Sequence, residues 1–266
     1  MTFTSKRGIT RGIVAFGVAM GLVPAASAAT LALLQDGTKI VRVDTDTKKA
    51  VGSVALAGGG ALVGFDVRPA DGKLYGLTPD GAIVTVDPAT GAWAKVSQLS
   101  EPLPQGVGIS VDFNPVADRM RVLTASGKSF RVNVTDGKAT VDGALRFSET
   151  DAHAGTSPMV TAAAYSNSVA GAKETALYDV ESAHALLVKQ APPNDGILAT
   201  IGALGVKLKG STAFDIWSDG KGTSVGWLLT GGRLYSVDLT TGAATMPVKV
   251  GGLKGRMLDL AILPSM

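Results

Sequence analysis

The chain has 266 residues and no cysteine, which excludes disulfides, thiol catalysis and thiolate metal sites. Only two histidines are present, so a histidine-rich zinc site is excluded as well. Lys and Arg number 25 against 22 Asp and Glu, and the excess of three lies in the first eleven residues. The remaining chain is balanced, which offers no electrostatic reason to expect nucleic acid or an anionic membrane as a partner.

The N-terminal segment has the order of a secretory signal. MTFTSKRGITR carries three basic residues and no acid, and the apolar stretch GIVAFGVAMGLV and the small-residue end Ala-Ser-Ala follow it. This order is typical of a cleaved signal peptide. A retained membrane anchor is the alternative, but the apolar core is shorter than the about 20 residues that span a bilayer. We expect residues 1–28 to be removed on export to the periplasm or medium, leaving one domain, 29–266, without membrane contact.

Beyond the signal, short apolar runs alternate with turn residues, and no amphipathic helix is evident. The clearest unit is 64–96, GFDVRPADGKLYGLTPDGAIVTVDPATGAWAKV. Alternating apolar runs separated by Asp-Gly and Thr-Gly pairs predict four short strands joined by tight turns. A repeat of this kind is typical of the blade of a β-propeller.

Two landmarks recur in one phase along the chain. First strands centre on positions 44 to 52 residues apart, namely Asp66, Asp112, Ala164, Asp215 and Asp259. Third strands end at positions 43 to 57 residues apart, namely Asp44, Asp87, Asn133, Gln190 and Asp238. Five units over residues 29–266 leave about 46 residues for each, enough for the four strands of a blade.

The two ends of the chain complete one unit between them. The stretch TLALLQDGTKIVRVDTDTKKAVGSV, from Thr30, supplies a second, third and fourth strand, whereas LDLAILP, from Leu258, supplies a first strand with nothing after it. Pairing the two would close the ring and remove an open sheet edge. We therefore predict an all-β, five-bladed β-propeller of four-stranded antiparallel blades, with the first blade closed by the N- and C-terminal strands, and we expect a monomer.

Four of the five first strands carry an aspartate, which makes these residues the candidates for chemistry: Asp66, Asp112, Asp215 and Asp259. The first strand is innermost in a propeller, so their carboxylates could surround the central channel and bind a hard cation such as calcium or magnesium. The structural alternative, which we favour, is that they accept hydrogen bonds from turn amides or pair with Arg68, Arg119 or Arg121. Apart from that cation, we expect no cofactor, and the sequence assigns no catalytic residue.

The fourth unit breaks the repeat. It has Ala164 where the other units have aspartate, and its last connection is lengthened to KQAPPNDG. Departures of this kind, in loops on a rigid scaffold, indicate a binding surface. The ligand-binding candidates of this unit are Tyr165, Asn167, Gln190 and Asn194. The alternative is that the two prolines only stiffen a longer turn.

Of the two histidines, His153 lies in a polar connection between the third and fourth units, and His184, in ESAHALL, lies beside the start of a strand. A general base at His153, supported by Asp151 or Glu149, is one interpretation. We expect both to be solvated loop residues.

Several phrases together carry a family resemblance: FDVRPADGKLYGLTPDGAIVTVDPATG, VDFNPVADRMRV, RVNVTDG, AAAYSNS, TALYDVES, QAPPNDGILATIGALGV and LYSVDLTTGAAT. They span most of 60–263, and the chain resembles the bacterial family of domains of unknown function numbered 4394. The resemblance implies an exported, propeller-like domain and brings no established activity or catalytic residue. The chain departs from the family pattern at Ser166-Asn167-Ser168, where we would expect consecutive asparagines.

These observations favour an exported, noncatalytic binding module for a small polar ligand, a glycan or a protein. The alternative is a periplasmic or secreted hydrolase of lactonase or glycosidase type that uses the channel carboxylates, with or without a divalent cation. A propeller hosts both classes, so the fold does not separate them.

Overall fold

A computed structural model describes Met1 and residues 29–264 of the chain. Apart from Met1, the predicted signal peptide lies outside the described residues, so its cleavage remains a prediction. Among the described residues, no helix has both the length and the apolar character needed to cross a membrane.

The described chain forms short strands, which we number in chain order. They are β1 (Thr30–Gln35), β2 (Lys39–Asp44), β3 (Lys49–Ala55), β4 (Gly64–Val67), β5 (Leu74–Leu77), β6 (Ala82–Val86), β7 (Trp93–Gln98), β8 (Ile109–Asn114), β9 (Arg119–Thr124), β10 (Ser129–Val132), β11 (Ala139–Val141), β12 (Arg146–Phe147), β13 (Val160–Tyr165), β14 (Leu177–Glu181), β15 (Leu186–Gln190), β16 (Ile197–Ala203), β17 (Thr212–Ser218), β18 (Ser224–Thr230), β19 (Arg233–Val237), β20 (Ala244–Lys249) and β21 (Met257–Leu263).

The strands form five antiparallel sheets arranged as the blades of a propeller, which confirms the predicted architecture. Blades 2, 3 and 5 are β4–β7, β8–β11 and β17–β20, and the main strands of blade 4 are β13–β16. Blade 1 has the order β21-β1-β2-β3, because the C-terminal strand β21 pairs antiparallel with β1 from Leu263 opposite Thr30 to Met257 opposite Gln35. The predicted closure between the two ends of the chain is therefore confirmed.

The Asp or Asn at the end of the third strand closes the following turn in four of the five blades. The side-chain oxygen accepts a hydrogen bond from a backbone N–H two residues further on in four blades, through Asp44, Asp87, Asn133 and Asp238. This is the local hydrogen bonding for which Asx residues are favoured in turns. The landmark recurs because these four blades need the same tight turn, whereas Gln190 of blade 4 precedes a longer connection.

Blade 4 differs from the others by one extra strand. The two residues of β12 pair in parallel with β16, so the chain between blades 3 and 4 runs along the outer edge of blade 4. Gly143 makes this close approach possible, since a Cβ there would lie 2.6 Å from the backbone oxygen of Asp195. The lengthened KQAPPNDG connection is thus covered by the chain entering the same blade.

Among residues 29–264, the buried apolar side chains form five clusters, one at each contact between neighbouring blades. Phe65 of blade 2, for example, packs in the same cluster as Leu34 of blade 1, and Phe113 of blade 3 packs with Leu77 of blade 2. Each fully buried side chain of this size contributes about 1.5–3 kcal/mol. The inner strands are buried because neighbouring blades cover them on both sides. Few polar groups of these strands are therefore accessible to solvent.

Candidate functional site

The inner-strand aspartates of blades 2, 3 and 5 link neighbouring blades. Each carboxylate accepts a hydrogen bond from a backbone N–H in the inner strand of the next blade: Asp66 from Phe113 at 2.9 Å, Asp112 from Tyr165 at 2.9 Å and Asp215 from Ile262 at 2.8 Å. The donors are strand amides, whereas the sequence favoured turn amides. Such bonds satisfy backbone groups that the ring buries.

The register of these bonds places Ala261, and not Asp259, at the equivalent position of blade 1. Phe113 directly follows Asp112 and Tyr165 directly follows Ala164, so the donor always lies one residue after the equivalent position. Ile262 directly follows Ala261. The alignment of Asp259 with the other aspartates was therefore displaced by two residues. A displacement of two keeps a side chain on the same face of a strand, so the apolar pattern does not detect it.

Asp259 instead occupies the next layer of the channel. Its Oδ2 accepts hydrogen bonds from the N–H groups of Phe65 at 3.1 Å and Val111 at 3.4 Å. Gly64 makes room for it, since a Cβ at this residue would lie 2.8 Å from Oδ2 of Asp259. Asp259 therefore links blade 1 to blades 2 and 3.

Asp66, Asp112 and Asp215, which we call the channel trio, converge on one another. Each offers a carboxylate oxygen, and these oxygens lie within 4.8 Å of one another. The three residues are no more than 5% exposed, and none takes part in an ion pair among the described residues. The trio thus brings three buried carboxyl groups together without a basic partner among the described residues.

Burial makes ionisation of the channel trio unfavourable. It raises the pKa of Asp66 well above its ordinary value, and repulsion from Asp215 raises it further. Burial and repulsion from Asp66 act in the same direction on the pKa of Asp112. Burial raises the pKa of Asp215 to about 6, although the N–H groups of Ile216 and Ile262 oppose the shift. Protons or a bound cation must therefore neutralise part of the trio at neutral pH.

A cavity of about 340 Å³ opens beside the trio at the C-terminal ends of the inner strands. We call it the channel mouth. Asp66 and Asp215 form part of its wall, together with Trp217, Ser218, Ser168 and Pro264. An indole, hydroxyl groups and carboxylates around one cavity suit a small polar or cationic ligand.

The arginines expected near the aspartates bind elsewhere. Arg68 contacts Asp118 with its Nε at 2.7 Å from Oδ1, and Arg119 donates to the carbonyl oxygens of its own turn. Arg121 is buried and pairs with Asp142. The expected pairing of these arginines with Asp66, Asp112, Asp215 or Asp259 is absent among the described residues.

The four candidates of the fourth unit do not form one surface. Tyr165 is buried, and its hydroxyl accepts a hydrogen bond from Nη2 of Arg121 at 3.0 Å. The Oδ1 of Asn194 accepts from the same nitrogen at 3.0 Å. Gln190 is buried, with Nε2 donating to the oxygen of Pro193. The KQAPPNDG connection thus folds against blade 3, where its Asn194 accepts a hydrogen bond from Arg121.

Asn167 lies apart from the other three. Its backbone is in the left-handed region at φ 55°, its N–H donates to Oγ of Ser218 at 2.8 Å, and its Nδ2 donates to the oxygen of Glu174. The contact with Ser218 links blade 4 to blade 5 at the joint where Ala164 provides no carboxylate. Asn167 therefore orders a turn beside the channel mouth.

The two histidines contact each other, which the sequence did not indicate. The ring centroids of His153 and His184 are 4.4 Å apart, and Nδ1 of His184 lies 3.1 Å from Oε2 of the buried Glu181. His184 remains 37% exposed, in keeping with the expected solvated position. The contact between His153 and His184 could not be predicted from the sequence, because only the fold of the blade brings their two loops together.

Comparison with solved structures finds similar proteins of low sequence identity. A protein of unknown function from Bacteroides caccae is 15% identical, with a TM-score of 0.45 and coverage of 86% of this chain and 76% of its own. A protein of unknown function from Bacteroides thetaiotaomicron is also 15% identical, with a TM-score of 0.49 and coverage of 88% and 61%. An auxiliary nutrient binding protein from Bacteroides ovatus is 14% identical, with a TM-score of 0.46 and coverage of 74% and 55%.

At this identity and these TM-scores, none of the three likenesses indicates a function. No functionally curated protein matches the sequence. Residues 39–261 match the family described as "Domain of unknown function (DUF4394)". The match covers most of the chain and agrees with the resemblance found in its repeat phrases. The chain is therefore a member of the DUF4394 family.

Proposed function

We propose that the protein is a noncatalytic binding module whose site is the channel mouth, and that its ligand is a small polar group carrying a positive charge. One observation carries the proposal: three buried carboxyl groups offer oxygen atoms within 4.8 Å of one another and have no basic partner among the described residues. A ligand cation would supply the charge that the surrounding protein does not. Export through the predicted signal peptide is part of the proposal.

Calcium is the simplest ligand of this class. It takes 6–8 oxygen ligands at about 2.3–2.6 Å, so three carboxylates leave positions for water or for the oxygens of a larger ligand. The cavity of about 340 Å³ at Asp66 and Asp215 provides the room. Extracellular calcium modules bind with a Kd of about 10⁻⁴ to 10⁻³ M, and we expect an affinity in this range.

The test is calcium titration of the purified protein, followed by calorimetry and thermal melting. Calcium that binds only the folded state raises the melting temperature by mass action. Asp66→Asn and Asp215→Asn keep an acceptor for the backbone amides of Phe113 and Ile262 but remove the charge, so both should abolish the rise. Asp259→Asn, which alters a channel carboxyl outside the trio, is the matched control and should retain it. A melting temperature unchanged by saturating calcium and magnesium would contradict the proposal.

Proton release distinguishes the trio from an ordinary surface calcium site. Because burial raises the pKa of each trio carboxyl, a cation that binds them must displace protons near pH 6. Calorimetry in buffers of different ionisation enthalpy measures this release. Calcium binding that releases no protons would place the ion elsewhere.

A hydrolase that uses the same carboxyls is the second candidate. It is favoured by the pKa of Asp215, which burial raises to about 6, and by the neighbouring carboxyl of Asp66, whose pKa burial raises as well. A carboxyl whose pKa lies near the working pH suits general acid–base catalysis. We would expect hydrolysis of lactones or aryl glycosides to rise with pH near 6 and to be lost in Asp215→Asn. Absence of turnover with and without calcium would exclude this candidate.

A further inference from the structure

A second and larger cavity lies between blades 1 and 2. It measures about 960 Å³, and we call it the blade 1–2 cleft. Its apolar wall includes Val51, Val67, Trp93 and Pro264. Small-molecule sites of proteins have volumes of about 300–1,000 Å³ and walls of this apolar character.

Arg42 is directed into this cleft by two features of blade 1. The pairing of β2 with β3 shifts register between Arg42 and Val43, and a β-bulge of this kind re-aims the side chains beside it. Gly52 lies opposite Arg42 in β3, and a Cβ there would lie 2.8 Å from Nη2 of Arg42. The guanidinium therefore lies across β3 because residue 52 has no side chain.

The guanidinium of Arg42 has no hydrogen-bond or ion-pair partner within the described chain. Its Nε is buried and has no hydrogen-bond acceptor there, and Arg42 forms no ion pair among the described residues. Lys73 adds a second cation to the lining. Asp87, the acid of the lining, uses its carboxylate in its own turn, accepting from the N–H of Ala89 at 2.8 Å and the hydroxyl of Thr90 at 2.7 Å. The pKa of Asp87 is lowered first by hydrogen bonds from Thr90 and Ala89 and to a smaller extent by the charge of Arg42.

We propose that the blade 1–2 cleft binds an organic carboxylate with an apolar body. The carboxylate would accept hydrogen bonds from Arg42 and lie near Lys73, and the body would pack against Val51, Val67 and Trp93. Arg42 suits this role because its planar fork matches a carboxylate. The site shares Val67, Gly72, Leu263 and Pro264 with the channel mouth but none of the trio, so the two proposals stand independently.

Three probes with the same chain separate charge from apolar contact: decanoate, decanol and decyltrimethylammonium. Calorimetric titration of the purified protein should show decanoate binding about tenfold or more tightly than decanol, as expected for a charge-assisted hydrogen bond. Decyltrimethylammonium should bind more weakly than both. Equal affinity for the three probes, or preference for the alcohol or the ammonium, would overturn the proposal.

The variants test whether Arg42 causes the preference. Arg42→Gln should remove it, and Gly52→Ala should weaken it by moving the guanidinium while Arg42 remains in place. Arg119→Gln makes the same change of charge at an exposed arginine of blade 3 and should leave the preference intact. An Arg42→Gln or Gly52→Ala protein that keeps the full preference would overturn the assignment of the carboxylate to Arg42. Asp66→Asn should not affect decanoate binding, and Arg42→Gln should not affect calcium binding.

Discussion

The channel trio and the cluster around Arg121 both bury charge, but they neutralise it in different ways. Arg121 is 2% exposed and contacts Asp142, which is equally buried, along with Ser129, Tyr165 and Asn194. Asp66, Asp112 and Asp215 are as deeply buried but receive hydrogen bonds from backbone amides only. The first cluster contains its own counterion, and the second requires protons or a ligand. This difference places the candidate site in the channel.

The largest effect should follow from removing the charge of Arg121. Arg121→Met leaves the polar groups of Ser129, Tyr165 and Asn194 without their shared donor. It also removes the buried ion-pair partner of Asp142, which keeps the more exposed Arg131. We expect a loss of about 3–5 kcal/mol in the free energy of unfolding, measured by urea denaturation at pH 7. Arg119→Met, at an exposed residue, should cost no more than about 0.5 kcal/mol. Equal costs would show that the Arg121 cluster does not hold blades 3 and 4 together.

A smaller effect, an increase in stability, is expected from replacing Asp179, a buried acid whose pKa is influenced by the charge of Arg121. Both of its carboxylate oxygens are buried without a hydrogen-bond partner, and burial raises its pKa to about 8, opposed by attraction to Arg121. Between the ordinary pKa near 3.8 and about 8, the folded protein holds a proton that the unfolded chain has lost. Stability must therefore fall as the pH rises through this window.

Asp179→Asn should remove that part of the fall. We expect the variant to gain about 1–3 kcal/mol over the natural protein at pH 8, with a difference that shrinks towards pH 4. Urea denaturation at several pH values measures it, and Glu149→Gln, at an exposed acid, is the matched control. A gain that does not depend on pH would mean that Asp179 is not protonated in the folded protein.

The smallest effect is expected in the channel without added cation. Because burial and repulsion from Asp215 raise the pKa of Asp66 well above its ordinary value, its charged form is already disfavoured, and Asp66→Asn keeps the acceptor for Phe113. We expect a change within about 1 kcal/mol at pH 7, measured in the presence of a chelator. A loss of stability as large as that of Arg121→Met would show that Asp66 is ionised and paired. The channel trio and the Arg121 cluster would then not differ in how their charge is neutralised.

Much of the architecture was predictable because its signals are local. The Asp or Asn that ends the third strand recurs in four blades since these need the same turn, and the spacing of the strand ends set the number of blades. The missing first strand at Thr30 and the unpaired strand at Leu258 predicted the closure because an open sheet edge is unfavourable. The Asp66, Asp112 and Asp215 positions were predicted to line the channel, although their oxygen-to-oxygen distances were not.

Contacts between distant residues were not predictable. Tyr165 and Asn194 were identified as ligand candidates, but they contact Arg121, which lies 44 and 73 positions away in the chain. The displacement between Asp259 and Ala261 was invisible because it preserves the alternation of faces. The repeat pattern of the sequence does not reveal the blade 1–2 cleft. The position of Arg42 in it depends on one β-bulge beside Arg42 and on Gly52 opposite.

Strands, turns and their fivefold repeat thus follow from chemistry within a few residues, where alternation, Asx hydrogen bonds and glycine determine the backbone. Which polar side chains become buried together follows only from closure of the ring, which brings five inner strands to one axis and fixes their register. Burial at that axis raises the pKa of the channel trio, and the repulsion between carboxyl groups that closure brings together raises that of Asp66 and Asp112 further. The strand that closes the ring also contributes Leu263 and Pro264 to the cleft in which Arg42 lies.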